Sequence, residues 1–168
     1  LYNRDLEKNL KVCSRCDYHF RITAHERIDL LVDPGSFHEH DADIISIDPL
    51  QFNIQPPGSS HQQSYSEKLA SEREKTGVNE AVVIGHAVIE SQPLTMAVMD
   101  FNFMGGSMSS AVGEKITRAI ELALERHIPL LIVSTSGGAR MQEGLYSLMQ
   151  MAKTSAALAR LGEAHLPY

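Results

Sequence analysis

The sequence predicts an α/β domain in which helices are layered on a sheet. Strand-length runs of β-branched residues alternate with helix-length amphipathic segments, in the order β-β-α-β-α, across the second half of the chain. Hydrophobic residues make up 43% and charged residues 21% of the 168 positions, a balance that supports a packed core. Turn residues punctuate the junctions: Ser91-Gln92-Pro93, Pro129, and the pairs Gly105-Gly106 and Gly137-Gly138.

Taken in order, residues 1–27 hold six basic and four acidic side chains, a positive bias in a chain of net charge −6. Thr23–Leu31 reads as a short helix. Residues 51–64 offer almost nothing to bury and read as an exposed loop. Ser66–Lys75 reads as a second short helix. Ala81–Glu90 and Leu94–Phe101 read as strands of one hairpin turning at Ser91-Gln92-Pro93. Ser110–His127 places Val112, Ile116, Ala119, Ile120, Ala123 and Leu124 on one helical face, with Glu114 and Arg118 paired on the other. Pro129 stops that helix and Leu130–Val133 reads as a buried strand. A long helix is expected from Ala139 to Leu161. All seven methionines fall between Met96 and Met151, and Met149 is read as core. His86 reads as a structural strand residue. His127 closes a helix, where a cation suits the dipole.

Whole function classes drop out. The acidic charge argues against a dedicated nucleic-acid binder, which needs a basic face. No apolar run reaches the ~18 residues of a membrane span. Two cysteines exclude a disulfide-built scaffold.

Two kinds of motif could carry chemistry. Cys13-Ser14-Arg15-Cys16 is half of a tetrahedral zinc site, since two thiolates at this spacing bite one metal and zinc takes four ligands. The remaining ligands could be His19 and His25 or two cysteines upstream of Leu1; two reduced thiols, or a redox pair, are the alternatives. The second motif is Ser134-Thr135-Ser136-Gly137-Gly138-Ala139-Arg140, between a strand and a helix. Backbone N–H groups at such a junction suit a phosphate or an oxyanion. It is neither a Walker loop nor a nucleophile elbow. Phe103-Met104-Gly105-Gly106-Ser107-Met108 repeats the theme after the preceding strand, so two Gly-Gly turns could line one cleft. Arg140 and Glu143 could orient a ligand or cap a helix. No acid–base pair or nucleophile stands out.

These residues resemble the carboxyltransferase β subunit of the multi-subunit acetyl-CoA carboxylase of bacteria and plastids. The resemblance rests on Phe103–Met108, Val112-Gly113-Glu114-Lys115, Ser136–Gly144 and Ser147–Leu158. Cys13, Cys16, Tyr18, His19 and Arg21 resemble the second knuckle of that subunit's zinc ribbon. The resemblance implies a crotonase-like fold of β-β-α units, its first part only, preceded by half a zinc ribbon. Residues 1–22 would be the ribbon half, 23–80 linking helices with 51–64 as an insertion, and 81–168 the start of the carboxyltransferase domain. It implies transfer of a carboxyl group from carboxybiotin to acetyl-CoA, giving malonyl-CoA. The amides of Gly137 and Gly138 would be oxyanion donors, and Gly105, Gly106, Ala139 and Arg140 would bind substrate. Cys13 and Cys16 would hold structural zinc, and biotin would ride on a partner.

The partners implied are a carboxyltransferase α subunit, a biotin carboxyl carrier protein and biotin carboxylase, in bacterial cytoplasm or plastid stroma. Ser109 and Thr135 depart from a usual glycine and alanine. The missing upstream cysteine pair and the stop at Tyr168 suggest a fragment. A zinc-dependent nucleic-acid module using Tyr18 and Phe20, and a carboxyltransferase for another short acyl-CoA, are the alternatives.

Overall fold

The computed structural model describes residues 3–55, 58 and 62–168. Helix α1 (Asn3–Lys8) leads into the Cys13–Cys16 turn. Helix α2 (Ala24–Leu31) starts at Thr23, whose hydroxyl accepts the Glu26 N–H at 3.1 Å while the Glu26 carboxylate accepts the Thr23 N–H at 2.7 Å. This reciprocal cap satisfies two donors that a helix start leaves open. Ser64 and Glu67 repeat it at the start of α3.

The polar segment 51–64 is not simply a loop. Strands β2 (Asn53–Ile54) and β3 (Gln63–Ser64) pair as a short antiparallel ribbon leading into α3 (Tyr65–Thr76). Phe52 packs against the core and Tyr65 is fully buried, so an aromatic residue anchors each end. Residues 56, 57 and 59–61 of that segment lie outside the described residues.

Strands β4 (Val82–Ile89) and β5 (Gln92–Met99) form the expected hairpin, but it turns at Glu90-Ser91. Both residues have positive φ, 48° and 67°, which matches the twist of the flanking strands. Pro93 therefore lies inside β5, opposite Val88. After helix α4 (Ser110–Arg126), β6 (Leu130–Val133) joins β5 in parallel. His127 adopts the left-handed conformation and ends α4. Strand β1 (His38–His40) adds antiparallel to β4, giving the order β1-β4-β5-β6. Nothing in its polar residues signalled a strand. It forms on backbone pairing, and Gly85 permits the approach, since a Cβ there would sit 2.3 Å from the His38 carbonyl oxygen. His86 is structural, as expected: it stacks on His38 across the strands, and its Nδ1 lies 2.6 Å from His40 Nε2.

Successive residues of β4 and β5 are buried, so both faces of the sheet are covered. Helix α2 packs on β4 and β5, while α4 packs on β4, β5 and β6 and is backed by α5 (Leu145–Glu163). The last helix begins later than expected: Ala139-Arg140 is extended and Met141–Glu143 is a single 3-10 turn. That shift sets the phase of α5. Ser147, Gln150, Ala157 and Leu161 face inward, and Met149, expected in the core, is 55% exposed on the other side.

One buried polar network ties these elements together. The Arg140 guanidinium is shut off from solvent. It donates to Glu80 at 2.7 Å, to the Ser107 hydroxyl and carbonyl at 3.0 and 2.9 Å, and to Ser46 and Tyr65 hydroxyls at 3.2 Å each. Tyr65 in turn donates to Glu143 at 2.7 Å. Burial works to raise the Glu80 pKa, but the charge and hydrogen bonds of Arg140 hold it below its ordinary 4.5. The folded carboxyl thus binds its proton less tightly than the unfolded one. Its contribution is complete above the ordinary value and is lost as pH falls through the lower, folded value.

Replacing Glu80 with Gln leaves a buried cation without its counter-charge, and should cost about 3–5 kcal/mol in urea unfolding at neutral pH. Below pH 4.5 the wild type should lose stability more steeply than Glu80→Gln, because only the wild type has this carboxylate to protonate.

Candidate active site

The site grows from the carboxyl ends of β5 and β6, which lie side by side. Beyond β5 the chain bends through Asp100, whose buried carboxylate accepts the N–H of Asn102 at 2.8 Å and of Ala24 at 2.9 Å. A tight turn follows at Met104–Gly106, all three with positive φ. Beyond β6 the chain runs through Ser134–Gly138.

The two glycine turns are joined to each other. The Gly137 N–H donates to the Gly105 carbonyl at 2.8 Å, the Met108 N–H to Gly138 at 2.8 Å, and the Arg140 N–H to Met108 at 2.8 Å. The parallel pairing of β5 and β6 is thereby resumed past the turns, with Met108 opposite Ala139. Gly106 makes the fit possible: a Cβ there would lie 2.3 Å from the Thr135 carbonyl oxygen. So the sequence-predicted Gly105, Gly106, Gly137, Gly138 and Ala139 do meet in one place.

Their roles divide. Gly137 spends its N–H on holding the turns together. Gly138 lies exposed at φ 117°, and its N–H donates only to the Ser136 hydroxyl, at 3.0 Å. That hydroxyl can rotate away. Gly138 is thus the amide of the pair available to an incoming oxyanion. Both glycines were expected at a helix start; the structure puts them six or more residues ahead of α5, so no helix dipole aims at them directly.

Arg140, expected to touch substrate, points the other way. Its side chain is inside the network described above, and its backbone N–H is taken by Met108. Its place is beneath the turn. Glu143 does cap a helix, but not the one that follows it: its carboxylate accepts the Ser110 N–H at 2.6 Å, at the start of α4, beside the Ser109 cap. Glu80, Tyr65, Ser46 and Ser107 escaped sequence reasoning. The one signal was Glu80, an acid directly before the apolar run of β4.

Apart from the turns, Cys13 and Cys16 form a compact loop. The Cys13 N–H donates to Tyr18, the Asp17 N–H donates back to Cys13 at 2.9 Å, and Val12 bridges His19. Asp17 takes the left-handed conformation directly after Cys16. The Cys13 thiol is held below its ordinary value, first by the backbone N–H groups of Arg15 and Cys16, then by the Cys16 side chain. Two thiols presented this way fit half of a tetrahedral zinc site. Among the described residues no third Cys, His, Asp or Glu converges on them, so His19 and His25 do not complete it. No helix among these residues is long and apolar enough to cross a membrane.

The carboxyl transferase domain family matches residues 53–168. The acetyl-coenzyme A carboxylase carboxyl transferase subunit beta of Desulforamulus reducens is 51% identical over the whole chain, and that of Methylacidiphilum infernorum 54%. The chain spans 55% and 58% of their lengths. Among solved structures, transcarboxylase 12S with methylmalonyl-coenzyme A bound superposes with a TM-score of 0.65 and 30% identity, over 84% of this chain and 24% of that one. The β subunit of Pseudomonas aeruginosa geranyl-CoA carboxylase shares the fold, with a TM-score of 0.60 at 19% identity over 95% of this chain and 24% of that one. The sheet, the crossover helix and the paired glycine turns thus have the crotonase-like architecture that the resemblance implied. The chain belongs to the carboxyl transferase domain family.

Proposed function

We propose that this chain is the part of an acetyl-CoA carboxylase carboxyltransferase β subunit that binds the acyl thioester and stabilises its enolate. The observation that carries this is the pair of glycine turns locked together with the Gly138 amide exposed beside them, in a chain about half identical to named β subunits. Acetyl-CoA would lie with its thioester oxygen at the Gly138 N–H. When the methyl proton leaves, negative charge builds on that oxygen. A donor fixed in advance stabilises this charge more than the neutral ground state, so it acts on turnover. Gly105, Gly106 and Gly137 keep the two turns in register, and Ala139 flanks the exposed amide.

Arg140 and Glu143 are buried in structural contacts, so neither is placed to serve as a base. Biotin carried on a biotin carboxyl carrier protein would supply the CO2 and, once that CO2 has left, the base for the methyl proton, so no side chain of this chain is needed for that role. A carboxyltransferase α subunit would complete the biotin side, and biotin carboxylase would recharge it. Malonyl-CoA formed this way feeds fatty-acid synthesis. The bacterial relatives favour a cytoplasmic setting. Residues 1–22 would be half a zinc ribbon, 23–80 a linking region and 81–168 the start of the catalytic domain.

Three outcomes test this in the assembled α/β enzyme. Gly106→Ala should push the turns apart and lower malonyl-CoA formation ~100-fold, the scale of a 1 Å misplacement. Gly77→Ala, equally left-handed but in open space at the end of α3, controls for backbone strain. Proline at Gly138 cannot adopt φ 117°, so the donor is better removed by replacing that peptide N–H with an ester oxygen. With the ester, kcat should fall ~100- to ~1,000-fold at saturating acetyl-CoA. A value within threefold of wild type refutes the assignment. Finally, metal analysis of the enzyme should give one zinc per β subunit, lost in Cys13→Ser. A full gene without a second cysteine pair rules this out.

A further inference from the structure

Strand β1 has three residues and no apolar side chain, so backbone pairing and its two histidines hold it to β4. His38 and His40, two positions apart, project from one face and flank His86 of β4. Each of their ring centroids lies 4.9 Å from that of His86. His38 stacks on His86, while His40 Nε2 comes within 2.6 Å of His86 Nδ1. Two nitrogens this close have room for one hydrogen between them: one ring donates and the other accepts through a bare lone pair. A proton added to the far nitrogen of the donor leaves that bond in place. A proton added to the acceptor sets N–H against N–H between two cations, and the bond is lost.

The surroundings oppose that second charge. Burial comes first in holding His86 below its ordinary 6.5, then Arg126 of α4, then His40 and His38. Thr95, its neighbour on β5, carries no charge. Glu39, between the two β1 histidines, lies 4.0 Å from Lys115. The groove beside His40 holds Asp41, Glu114, Glu121 and Glu125. Arg118 takes Asp41 and Glu114, Lys153 also takes Glu114, and Arg160 takes Glu121, which leaves Glu125 as the one carboxylate there without an ion pair among the described residues. The chain after β1 gives the pair its reach. The Ala42 carbonyl accepts from the Asn79 side chain at 2.8 Å, and Ser46 joins the Arg140 network.

We infer that the His40–His86 pair is an acid-opened clasp: with one hydrogen between the rings it holds β1 on the sheet, and protonation of both rings frees β1 and slackens the Ser46 segment beneath the glycine turns. Folded His86 takes up a proton less readily than the unfolded chain does. The hold is therefore complete above the ordinary imidazole value and is lost as pH falls through the lower, folded one. An effect on turnover rests on the carboxyltransferase function proposed above; the opening of β1 does not.

The experiment is amide hydrogen exchange over residues 38–46 in the assembled α/β enzyme, at about pH 7.5 and about pH 5, corrected for the pH dependence of intrinsic exchange. The wild-type segment should lose protection by up to ~10-fold per pH unit, the limit for one linked proton, while α4 keeps its own. In His86→Asn an amide that does not titrate stands where Nδ1 was and can donate to His40 or accept from it, so protection should stay nearly flat. His40→Gln makes the reciprocal replacement at Nε2 and should do the same. His127→Asn, at a left-handed helix end that Asn tolerates, should behave as wild type. A wild-type segment equally protected at both pH values overturns the inference, and so does a loss in both clasp variants that matches wild type. A variant already open at about pH 7.5 shows that its ring holds β1, and the wild-type titration then decides. Malonyl-CoA formation should fall with protection in the wild type and less in His86→Asn. An enzyme inactive at every pH counts against the proposed function and leaves the exchange result standing.

Discussion

A guanidinium sealed from water cannot be left alone, and Arg140 answers that need with four chain segments at once. Ser46, Tyr65, Glu80 and Ser107 come from the loop after β1, the start of α3, the approach to β4 and the turn after β5. Each would otherwise be an ordinary surface connection. Converging on one cation, they become a rigid bed beneath the glycine turns. A buried ion pair is weak evidence for net stability, because both charges were stripped of water. Its effect here is geometric: any segment that moves leaves the cation short of a partner, so all of them stay.

The turns above this bed use their few polar groups economically. Gly137 and Gly138 are chemically identical, yet one N–H is committed to the neighbouring turn and the other is held by a hydroxyl that can rotate away. That division depends on Gly106, which lets the backbone at Thr135 come close. A site of this kind carries no reactive side chain. In the function proposed above its chemistry would reside in backbone groups held by the sheet, which fits a chain along which no nucleophile or acid–base pair stands out.

Much of this was legible in the residues. The β-branched runs and the apolar stripe of α4 gave the strands and the crossover helix, because burial imposes those periods directly. The glycine pairs marked the turns. What escaped depended on contacts between distant segments. His38-Glu39-His40 became a strand through backbone pairing, which polar side chains do not advertise. The start of α5 moved from Ala139 to Leu145 because residues 139–140 were claimed by pairing with Met108, and that shift turned Met149 outward. Arg140 looked like a ligand residue because it follows two glycines. Only the fold reveals that it points down toward Glu80, which stands 60 positions earlier.

That separation has a consequence for the order of events on the ribosome. Synthesis runs from the N-terminus at ~5–20 residues per second, so Glu80 is made several seconds before its cation emerges. Over that interval the hairpin of β4 and β5 exists without the group that neutralises the acid at its root, and Glu80 has to remain hydrated. The hairpin can form early, but the approach to it cannot close. Sealing waits for Arg140, and Arg140 arrives only after α4 and β6. The pairing that joins the two glycine turns runs through the Arg140 N–H to Met108, so it too waits for the same stretch of chain that brings the cation.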